Sequence, residues 1–578
     1  MPSCIRYNVA MHIDIVPNRG SRPAYLLRES YREGKRVRKR TLANLSALSE
    51  TQIEGIRAIL RGDAVRPVGE LFEAVASRPC GHVQAVHVAM QKLGMARLLA
   101  GRPSRERDLA LAMIAARVVC PDTKLATTRR WHQSTLAEDF GVLDAQAEDL
   151  YAAMDWLLAR QEAVQKRLAA RHLQAGSLVL YDLSSSYLEG HHCPLARLGY
   201  SRDGKKGKLQ VNYGLLTDRR GCPVAISVYP GNTADAATLM PEVTRLRETF
   251  GLGDVVLVGD RGMISQVHIR QLRELDGLRW ITALKSVSIR KLVQGQTLQL
   301  DLFDERNLFE LRHPDYPGER LIACRNPQLA GHRAAKREAL LEATEVQLAK
   351  VRERVERGRL TGADRIGVAV GKVLDRYKVG KHFVLEIDEA RFEFRRDAEK
   401  ITEEAALDGL YVLRTSVEPE QMDASECVRN YKALANVERA FRSLKTMDLK
   451  VRPIHHRLAD RVRAHIFLCM LAEYVAWHLR EAWRPMLFAD EDQAAKGQRD
   501  PVRPARRSAA AERKGARKIN DTGQPLHSFQ TLLGELAGIV RNTCRTPGSD
   551  ETPSTFEITT TPNPVQQRAL DLATQIRL

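Results

Sequence analysis

The sequence lacks several features that mark common protein classes. Its nine cysteines include no CxxC pair, which argues against a zinc ribbon and against a disulfide framework. It has no Walker A loop, so ATP-driven work is not expected. The longest apolar run, 466–479, is broken by Glu473 and His478 and is too short for a bilayer. The first residues do not resemble a signal peptide, so we expect a cytoplasmic protein with reduced thiols and no membrane segment.

Acidic residues are scarce relative to basic ones. Lys and Arg number 90 against 71 Asp and Glu, which gives a formal net charge of +19. Such a balance indicates a polyanionic partner, with nucleic acid as the first choice. At 578 residues the chain is also too long for one core, so about two to four domains are expected.

The N-terminal part carries a dense group of basic residues. Residues 25–42 predict two strands that turn at Glu33 and Gly34, with five basic side chains on the second strand: Lys35, Arg36, Arg38, Lys39 and Arg40. Such a strand can bind phosphates, or its charge can protect a solvated sheet edge. Helical patterns follow up to residue 170, so 1–172 is interpreted as a basic hairpin and helical DNA-binding region.

Two later apolar runs each end in an aspartate. Residues 177–182 end in Asp182, and residues 254–260 end in Asp260. Around them the pattern is three strands, a helix, a strand, a helix and a strand, which is the order of an RNase H-like core. In such a sheet the ends of neighbouring strands can bring the two carboxylates together.

A third carboxylate lies on a predicted helix without Pro or Gly. At about 100° per residue, Tyr431, Glu438 and Lys445 fall on one polar stripe. Beside it runs an apolar stripe that would seat the helix on a core, formed by Leu434, Val437, Phe441 and Leu444. Taken alone, the helix could be an ordinary amphipathic one in which Glu438 pairs with Arg442.

Asp182, Asp260 and Glu438 together form a set of hard oxygen ligands. Two-metal cleavage of phosphodiesters uses such ligands to hold two Mg²⁺ ions about 3.5 to 4 Å apart. The three residues are separated by 78 and 178 positions. The second gap is too long for a plain RNase H fold, so an insertion is expected before the Glu438 helix.

These residues resemble the bacterial insertion-sequence DDE transposases with the signature Tyr, two residues, Arg, three residues, Glu, six residues, Lys. Tyr431, Glu438 and Lys445 stand at the family spacing, and Leu434 occupies the Arg position. In the family that Arg helps to hold DNA-end phosphate, a role that Arg439 or Arg442 could take here. The resemblance covers about residues 175 to 485, and it includes the segments 231–233, 259–262 and 463–465.

The resemblance implies a mixed α/β fold. Its RNase H-like catalytic core would comprise 173–286 and 409–485, separated by a largely β insertion domain at 287–408. Strand patterns in that insertion cover 298–302, 308–312, 319–325 and 382–394, around a charged helix at 333–357. Composition predicts a disordered basic linker at 486–525 and a C-terminal tail at 526–578.

The resemblance also implies a reaction and its partners. Asp182, Asp260 and Glu438 would be catalytic and would bind two Mg²⁺ ions, with Mn²⁺ as a substitute. The enzyme would cut the terminal inverted repeats of its own element in double-stranded DNA and join the 3′-hydroxyl to target DNA. It would act as a homodimer in the bacterial cytoplasm, associated with the nucleoid. The residues expected to contact DNA are Tyr431, Lys445, Arg439, Arg442, Lys205, Lys206, Lys208, Asn232 and Arg261.

Several alternatives remain open. An RNase H-fold nuclease without strand transfer would share the three carboxylates, and a noncatalytic transposase-derived DNA-binding protein would share the basic surface. The glycine-rich loop 201–208 can follow a phosphate chain or form a solvated turn. The segment His191-His192-Cys193 has no second Cys/His pair at zinc spacing, so a polar loop is predicted there.

Overall fold

The structure is a computed structural model that describes residues 10–63, 72–190, 192–296, 298, 303–304, 307–492, 499–503, 506–545 and 555–578. Its contacts divide the chain into two units. Unit 1 comprises Met1–Ser77 and Arg541–Thr560, and unit 2 comprises Arg78–Val540 and Thr561–Leu578.

Unit 1 contains the basic hairpin expected from the sequence. Its first sheet is an antiparallel meander of β1 (Ala10–Asn18), β2 (Ser21–Glu33) and β3 (Arg36–Asn44), followed by α1 (Glu50–Arg61). The hairpin register pairs Glu33 with Arg36, which confirms the predicted turn. Three basic side chains of β3 have carboxylate partners, in the pairs Arg38 with Glu33, Lys39 with Asp14, and Arg40 with Glu29. A second sheet contains β4 (Glu73–Pro79) and the strands Val540–Arg545 and Thr555–Thr559.

Unit 2 begins with helices, as the sequence predicts. They are α2 (Gly81–Lys92), α3 (Met95–Leu99), α4 (Arg105–Val119), α5 (Lys124–Arg130), α6 (Leu136–Asp139), α7 (Ala147–Leu158) and α8 (Gln161–His172). Alternation of strands and helices follows. The strands are β5 (Ser177–Tyr187), β6 (Gln210–Thr217), β7 (Pro223–Pro230), β8 (Val255–Val258), β9 (Leu278–Ala283), β10 (Leu308–Leu311), β11 (Arg320–Arg325), β12 (Phe383–Ile387), β13 (Phe392–Arg396) and β14 (Leu410–Thr415).

The later helices of unit 2 lie between and after these strands. They are α9 (Leu239–Thr244), α10 (Gln266–Arg273), α11 (Ser286–Gln294), α12 (Pro327–Glu356), α13 (Ala363–Tyr377), α14 (Ala398–Ala405), α15 (Ala424–Lys432), α16 (Leu434–Arg442) and α17 (Ala459–Ala482), and then helices Ala509–Arg517, Phe529–Leu536 and Pro564–Thr574. In the described part of the chain, no helix has the length and apolar character needed to cross a bilayer.

One large mixed sheet organises unit 2. Its order is β10-β11-β14-β9-β8-β5-β6-β7, in which β5 pairs antiparallel with β6 and parallel with β8, and β8 pairs parallel with β9. Five neighbouring strands of this sheet, in the order β9-β8-β5-β6-β7, have the RNase H-like arrangement. Every residue of β6 and β8 is buried, as expected for strands covered on both faces. The predicted mixed α/β class is confirmed.

A glycine in this sheet makes room for a buried tyrosine. Gly214 on β6 lies opposite Leu183 on β5, and a Cβ at Gly214 would lie 2.7 Å from two ring carbons of Tyr181. Because the Tyr181 ring is fully buried, it has little room to move.

Gly214→Ala is therefore expected to lower the free energy of unfolding by about 1 to 3 kcal/mol, the usual cost of overpacking a core. Thermal and urea unfolding would measure the loss. Gly253→Ala is the matched control, because a Cβ at Gly253 would meet nothing within 4 Å. An equal effect of the two substitutions would contradict the packing argument.

The region between β9 and β14 is richer in helix than the sequence pattern indicated. β10 and β11 join the large sheet, whereas α12, α13, α14 and the β12–β13 hairpin surround a separate apolar cluster. The charged helix expected at 333–357 is α12. Helix α13 was not predicted, because its glycines and valines favour helix weakly, and burial of Ile366 and Val370 in the cluster accounts for it. Most of the strand expected at 298–302 lies outside the described residues.

The segment that carries Glu438 is not the single helix expected. α15 ends at Lys432, α16 begins at Leu434, and a wide π-type turn covers Ser443–Met447. No Pro or Gly marks the break at Ala433, so periodicity could not locate it. The predicted apolar stripe is confirmed, since Val437, Phe441 and Leu444 are buried and Leu434 packs against the same core.

The prediction of a disordered linker at 486–525 was wrong for its described part. Asp490 accepts hydrogen bonds from the Ser508 backbone N–H at 2.9 Å and the Ser508 hydroxyl at 2.8 Å, and it pairs with Arg499 at 2.8 Å. Ser508 also caps helix Ala509–Arg517. Val502 is fully buried. Polar capping and a few buried apolar residues, Val502 and Ala511 among them, thus order a segment whose composition is largely polar. The expected C-terminal tail likewise contains helix Pro564–Thr574, where Ala569 accepts a hydrogen bond from Trp483.

Asp490→Asn is expected to loosen this segment. Burial alone would raise the pKa of Asp490, but hydrogen bonds from Ser508 and Arg499 hold the pKa well below its ordinary value. A lowered pKa stabilises the fold above the unfolded value near 3.8, and the stabilisation is lost as pH falls below it.

At pH 7 the variant should therefore show amide exchange in 508–517 about tenfold faster or more. Asp521→Asn is the control, since that side chain is 80% exposed. Unchanged exchange in Asp490→Asn would show that other contacts hold the segment.

Candidate active site

Two carboxylates come from adjacent parallel strands. Leu180 of β5 pairs with Val258 of β8, and Asp182 and Asp260 each lie two residues further along. Parallel strands in this register place equivalent positions side by side. The third carboxylate, Glu438, is exposed on α16, which packs against β5. Asp182 lies within β5, which continues to Tyr187, and not at the strand end expected from the sequence.

The three carboxylates act on one another electrostatically. The pKa of Asp182 is raised to about 7, chiefly by burial, and the negative charges of Asp260 and Glu438 contribute to this rise. A hydrogen bond from the Leu183 N–H and the charge of Arg202 act in the opposite direction. Because the interaction between two charges weakens with distance, these effects indicate that Asp182, Asp260 and Glu438 lie near one another.

Tyr431 lies beside the same carboxylates. It is half-buried, and burial raises the pKa of Tyr431 to about 12. Asp260, Asp182 and Glu438 contribute in the same direction, and Arg261 opposes them. The Tyr431 hydroxyl therefore stays protonated and can donate a hydrogen bond.

A turn fixes the orientation of Asp260. Its Oδ1 accepts the N–H groups of Gly262 at 2.9 Å and Met263 at 2.8 Å. This is the side-chain turn that Asp commonly forms after a strand. One carboxylate oxygen is thereby held by the backbone, and the side chain stays exposed.

The donor set fits divalent cations. The negative charges of Asp260 and Glu438 disfavour ionisation of Asp182. A bound cation would offset this repulsion and favour the ionised forms of all three carboxylates. Within the described residues, a group of three ligand atoms within 4.8 Å of one another occurs only at His172, Cys222 and His478. The oxygens of Asp182, Asp260 and Glu438 therefore do not all lie within that distance of one another.

Lys445 was expected on an exposed polar stripe, but its side chain is buried against Asp203. Its ammonium lies 3.0 Å from Asp203, whose carboxylate also pairs with Arg452 and accepts the Tyr187 N–H at 3.1 Å. The Lys445 side chain is 10% exposed, and burial lowers its pKa. The predicted polar stripe is therefore incomplete, because the π-type turn carries Lys445 into this buried cluster.

Arg439 and Arg442 form part of a group of arginines. Burial, and then the charges of Arg442, Arg484 and Arg480, lower the pKa of Arg439. Arg480 and Arg484 pair with Glu473 and Glu481 respectively.

The remaining predicted DNA contacts are exposed. They are Lys205, Lys206, Lys208, Asn232 and Arg261, and of these Lys208 pairs with Glu189 at 3.1 Å. The loop that carries the lysines is anchored on both sides. Arg202 donates its N–H to Ser185 at 3.1 Å and pairs with Asp235, and Asp203 holds Lys445.

Arg202 and Asp203 were missed by the sequence interpretation. Both stand in the basic loop 201–208, where only the lysines were selected. The sequence did contain a signal, because Arg202 and Asp203 stand directly before the run of glycines and lysines at 204–208.

Two family models match the sequence. The family model described as "Transposase DDE domain" matches residues 176–473, and "IS1634 family transposase, N-terminal domain" matches residues 13–68. Among solved structures the chain is similar to piggyBac transposase in a synaptic complex with hairpin DNA. That likeness has 8% identity, covers 79% of this chain and 76% of that chain, and has a TM-score of 0.35. No curated protein matches the sequence.

The family model that matches the larger part of the chain describes a transposase, an enzyme that acts on DNA. The first family match covers more than half of the residues, and the chain belongs to the DDE transposase family. The second match confirms the expected bacterial insertion-sequence type. Domains of this family use divalent metal ions.

Proposed function

We propose that this transposase cuts the terminal inverted repeats of its own insertion sequence and joins the exposed 3′-hydroxyl to target DNA. Asp182, Asp260 and Glu438 would hold two Mg²⁺ ions, with Mn²⁺ as a substitute. The observation that carries the proposal is the register of β5 and β8, which sets Asp182 beside Asp260 within electrostatic range of Glu438.

The ions would activate the attacking oxygen and stabilise the leaving oxygen when bound. The chain's own residues prepare this site. The backbone turn at Gly262 and Met263 fixes Asp260, and Arg202 favours the ionised form of Asp182 that metal binding requires. Tyr431 stays protonated near pH 7, so it would donate a hydrogen bond to a phosphate and would not act as the nucleophile.

The DNA would lie across the exposed basic side chains that flank the carboxylates. Arg439 and Arg442 supply the charge that Leu434 cannot, and Arg261 and Asn232 follow the strands at the same edge. Lys205, Lys206 and Lys208 extend this surface along the loop. For Lys445 we propose a positioning role, because Asp203 holds it in the buried cluster. Paired element ends would be bound by a homodimer.

The double variant Lys205→Ala with Lys206→Ala tests the loop contact. Each phosphate contact adds about 0.9 to the slope of log affinity against log salt concentration, so the slope should become shallower by roughly 2. Fluorescence anisotropy over a salt series measures it. Lys92→Ala, exposed on α2, serves as the control for general charge loss. An unchanged salt slope in the double variant would show that Lys205 and Lys206 do not contact DNA phosphates.

The function itself is tested by strand transfer. A labelled duplex with the element end is incubated with plasmid DNA, the full chain, and Mg²⁺ or Ca²⁺. Joined product with Mg²⁺ is the expected result. Metal-dependent cutting without joining would indicate a nuclease, and binding without either reaction would indicate a noncatalytic DNA-binding protein.

A further inference from the structure

A second group of potential metal ligands lies away from the carboxylates, in unit 2. His172 is the last residue of α8, Cys222 immediately precedes β7, and His478 lies on α17. Cys222 and His478 are buried, and His172 is half-buried. Three elements that are distant in sequence thus place one ligand each at the same point, which is why no spacing motif marks the group.

The spacing of these atoms is close to that of a metal site. One ligand atom from each residue lies within 4.8 Å of the others. The distance between Cys222 Sγ and His478 Nε2 is 3.8 Å. In a tetrahedral zinc site, bond lengths of about 2.3 Å to sulfur and 2.0 to 2.1 Å to nitrogen place these two atoms roughly 3.5 Å apart. Small side-chain movements would therefore close the site.

The surroundings leave room for entry and for a fourth ligand. A cavity of about 300 Å³ is lined by His172 and His478, and also by Glu481 and the C-terminal segment around Leu572. The Tyr474 hydroxyl lies 2.9 Å from His172 Nε2 and orients that ring. A site with three protein ligands beside a cavity has the form in which a water or a carboxylate completes the coordination.

The nearby charges are mixed. Asp218, Glu473 and Glu481 act on Cys222, and Arg220 opposes them. Arg171 and Arg220 act on both histidines, Arg577 lines the same cavity, and Asp218 acts on His172. Asp218 pairs with Arg220, which offsets part of that positive charge.

Burial sets the protonation states of the three residues. Burial lowers the pKa of His478 to about 3, so its imidazole is neutral at pH 7. Burial also lowers the pKa of His172. Burial raises the pKa of Cys222 well above its ordinary value, so a bound metal ion would have to displace the thiol proton.

We propose that His172, Cys222 and His478 bind one zinc ion, or another transition-metal ion with the same preference for nitrogen and sulfur, beside the cavity. The ion would connect α8, the start of β7 and α17, and so stabilise the packing of the helical region on the catalytic sheet. Hard Mg²⁺ prefers oxygen ligands, so this site would differ in metal selectivity from the carboxylates.

Titration of the metal-free full chain with Co²⁺ tests the proposal. Cobalt bound to a thiolate gives a charge-transfer absorption that cobalt at carboxylates does not, so the catalytic residues cannot produce this signal. We expect the absorption to saturate at one Co²⁺ per chain, to disappear on addition of Zn²⁺, and to persist in excess Mg²⁺.

Substitutions identify the ligands. Cys222→Ser should abolish the absorption, and His478→Gln should weaken Co²⁺ binding at least about tenfold. Cys324→Ser is the matched control, since Cys324 is another fully buried cysteine on the same sheet. It should bind Co²⁺ as the wild type does. Absence of the absorption in the folded wild type, or its persistence in Cys222→Ser, would overturn the proposal. If Cys222→Ser fails to fold, unchanged Co²⁺ binding in folded His478→Gln would overturn the proposal in its place.

Discussion

Asp260→Asn and Glu438→Gln are each expected to lower the rate of strand cleavage by about a thousandfold. Coordinated metal stabilises the transition state by several kcal/mol, and each 1.36 kcal/mol corresponds to a tenfold change in rate. Either substitution replaces an anionic ligand with a neutral amide of the same shape. Single-turnover cleavage of the element-end duplex, with Mg²⁺ in excess, measures the loss.

DNA affinity should change little in these variants, because removal of a negative charge does not weaken phosphate contacts. Glu426→Gln is the matched control on α15, where the carboxylate pairs with Arg219 at 3.7 Å. Its cleavage rate should stay near that of the wild type. Equal cleavage rates in Glu438→Gln and Glu426→Gln would show that Glu438 has no catalytic role.

Glu319→Ala is expected to destabilise unit 2 by about 3 to 5 kcal/mol, the cost of leaving a buried charge without its partner. The Glu319 carboxylate is fully buried and accepts two hydrogen bonds at 2.6 Å from Arg414, which is 7% exposed. Arg273 donates to the same carboxylate at 2.6 Å. These residues connect the start of β11 with β14 and α10.

The effect on stability follows from burial and not from ion pairing as such. Glu418→Ala is the control, because its pair with Arg312 has side chains that are 51% and 63% exposed. That substitution should cost less than about 1 kcal/mol. The double variant Glu319→Met with Arg414→Leu should recover part of the stability, since it removes both charges. Equal losses in Glu319→Ala and Glu418→Ala, measured by urea unfolding, would contradict this account.

The sequence was most informative where a pattern and a chemical requirement coincided. The apolar runs before Asp182 and Asp260 predicted two buried neighbouring strands, and the register of β5 and β8 agrees. The apolar stripe of the Glu438 helix was also predicted correctly, since Val437 and Phe441 are buried. Short strands and amphipathic helices are specified by local periodicity.

Features that depend on distant partners were not predictable. The break at Ala433 and the wide turn at Ser443–Met447 carry no helix-breaking residue, yet they decide that Lys445 meets Asp203. Composition also made 486–525 resemble a disordered linker, because a few polar bonds to Asp490 leave no apolar signature. The group at His172, Cys222 and His478 draws on three elements and has no spacing motif at all.

The path of the chain through the large sheet has a consequence for evolution of the family. The chain leaves the catalytic core after Ala283 on β9 and returns on β14, where Leu413 lies directly opposite Ala283. Whatever lies between these two adjacent points can lengthen or shrink without moving either end, and the entropy cost of a longer excursion grows only logarithmically. Lineages could therefore exchange one inserted module for another of different size without displacing β9 or β14 from the sheet.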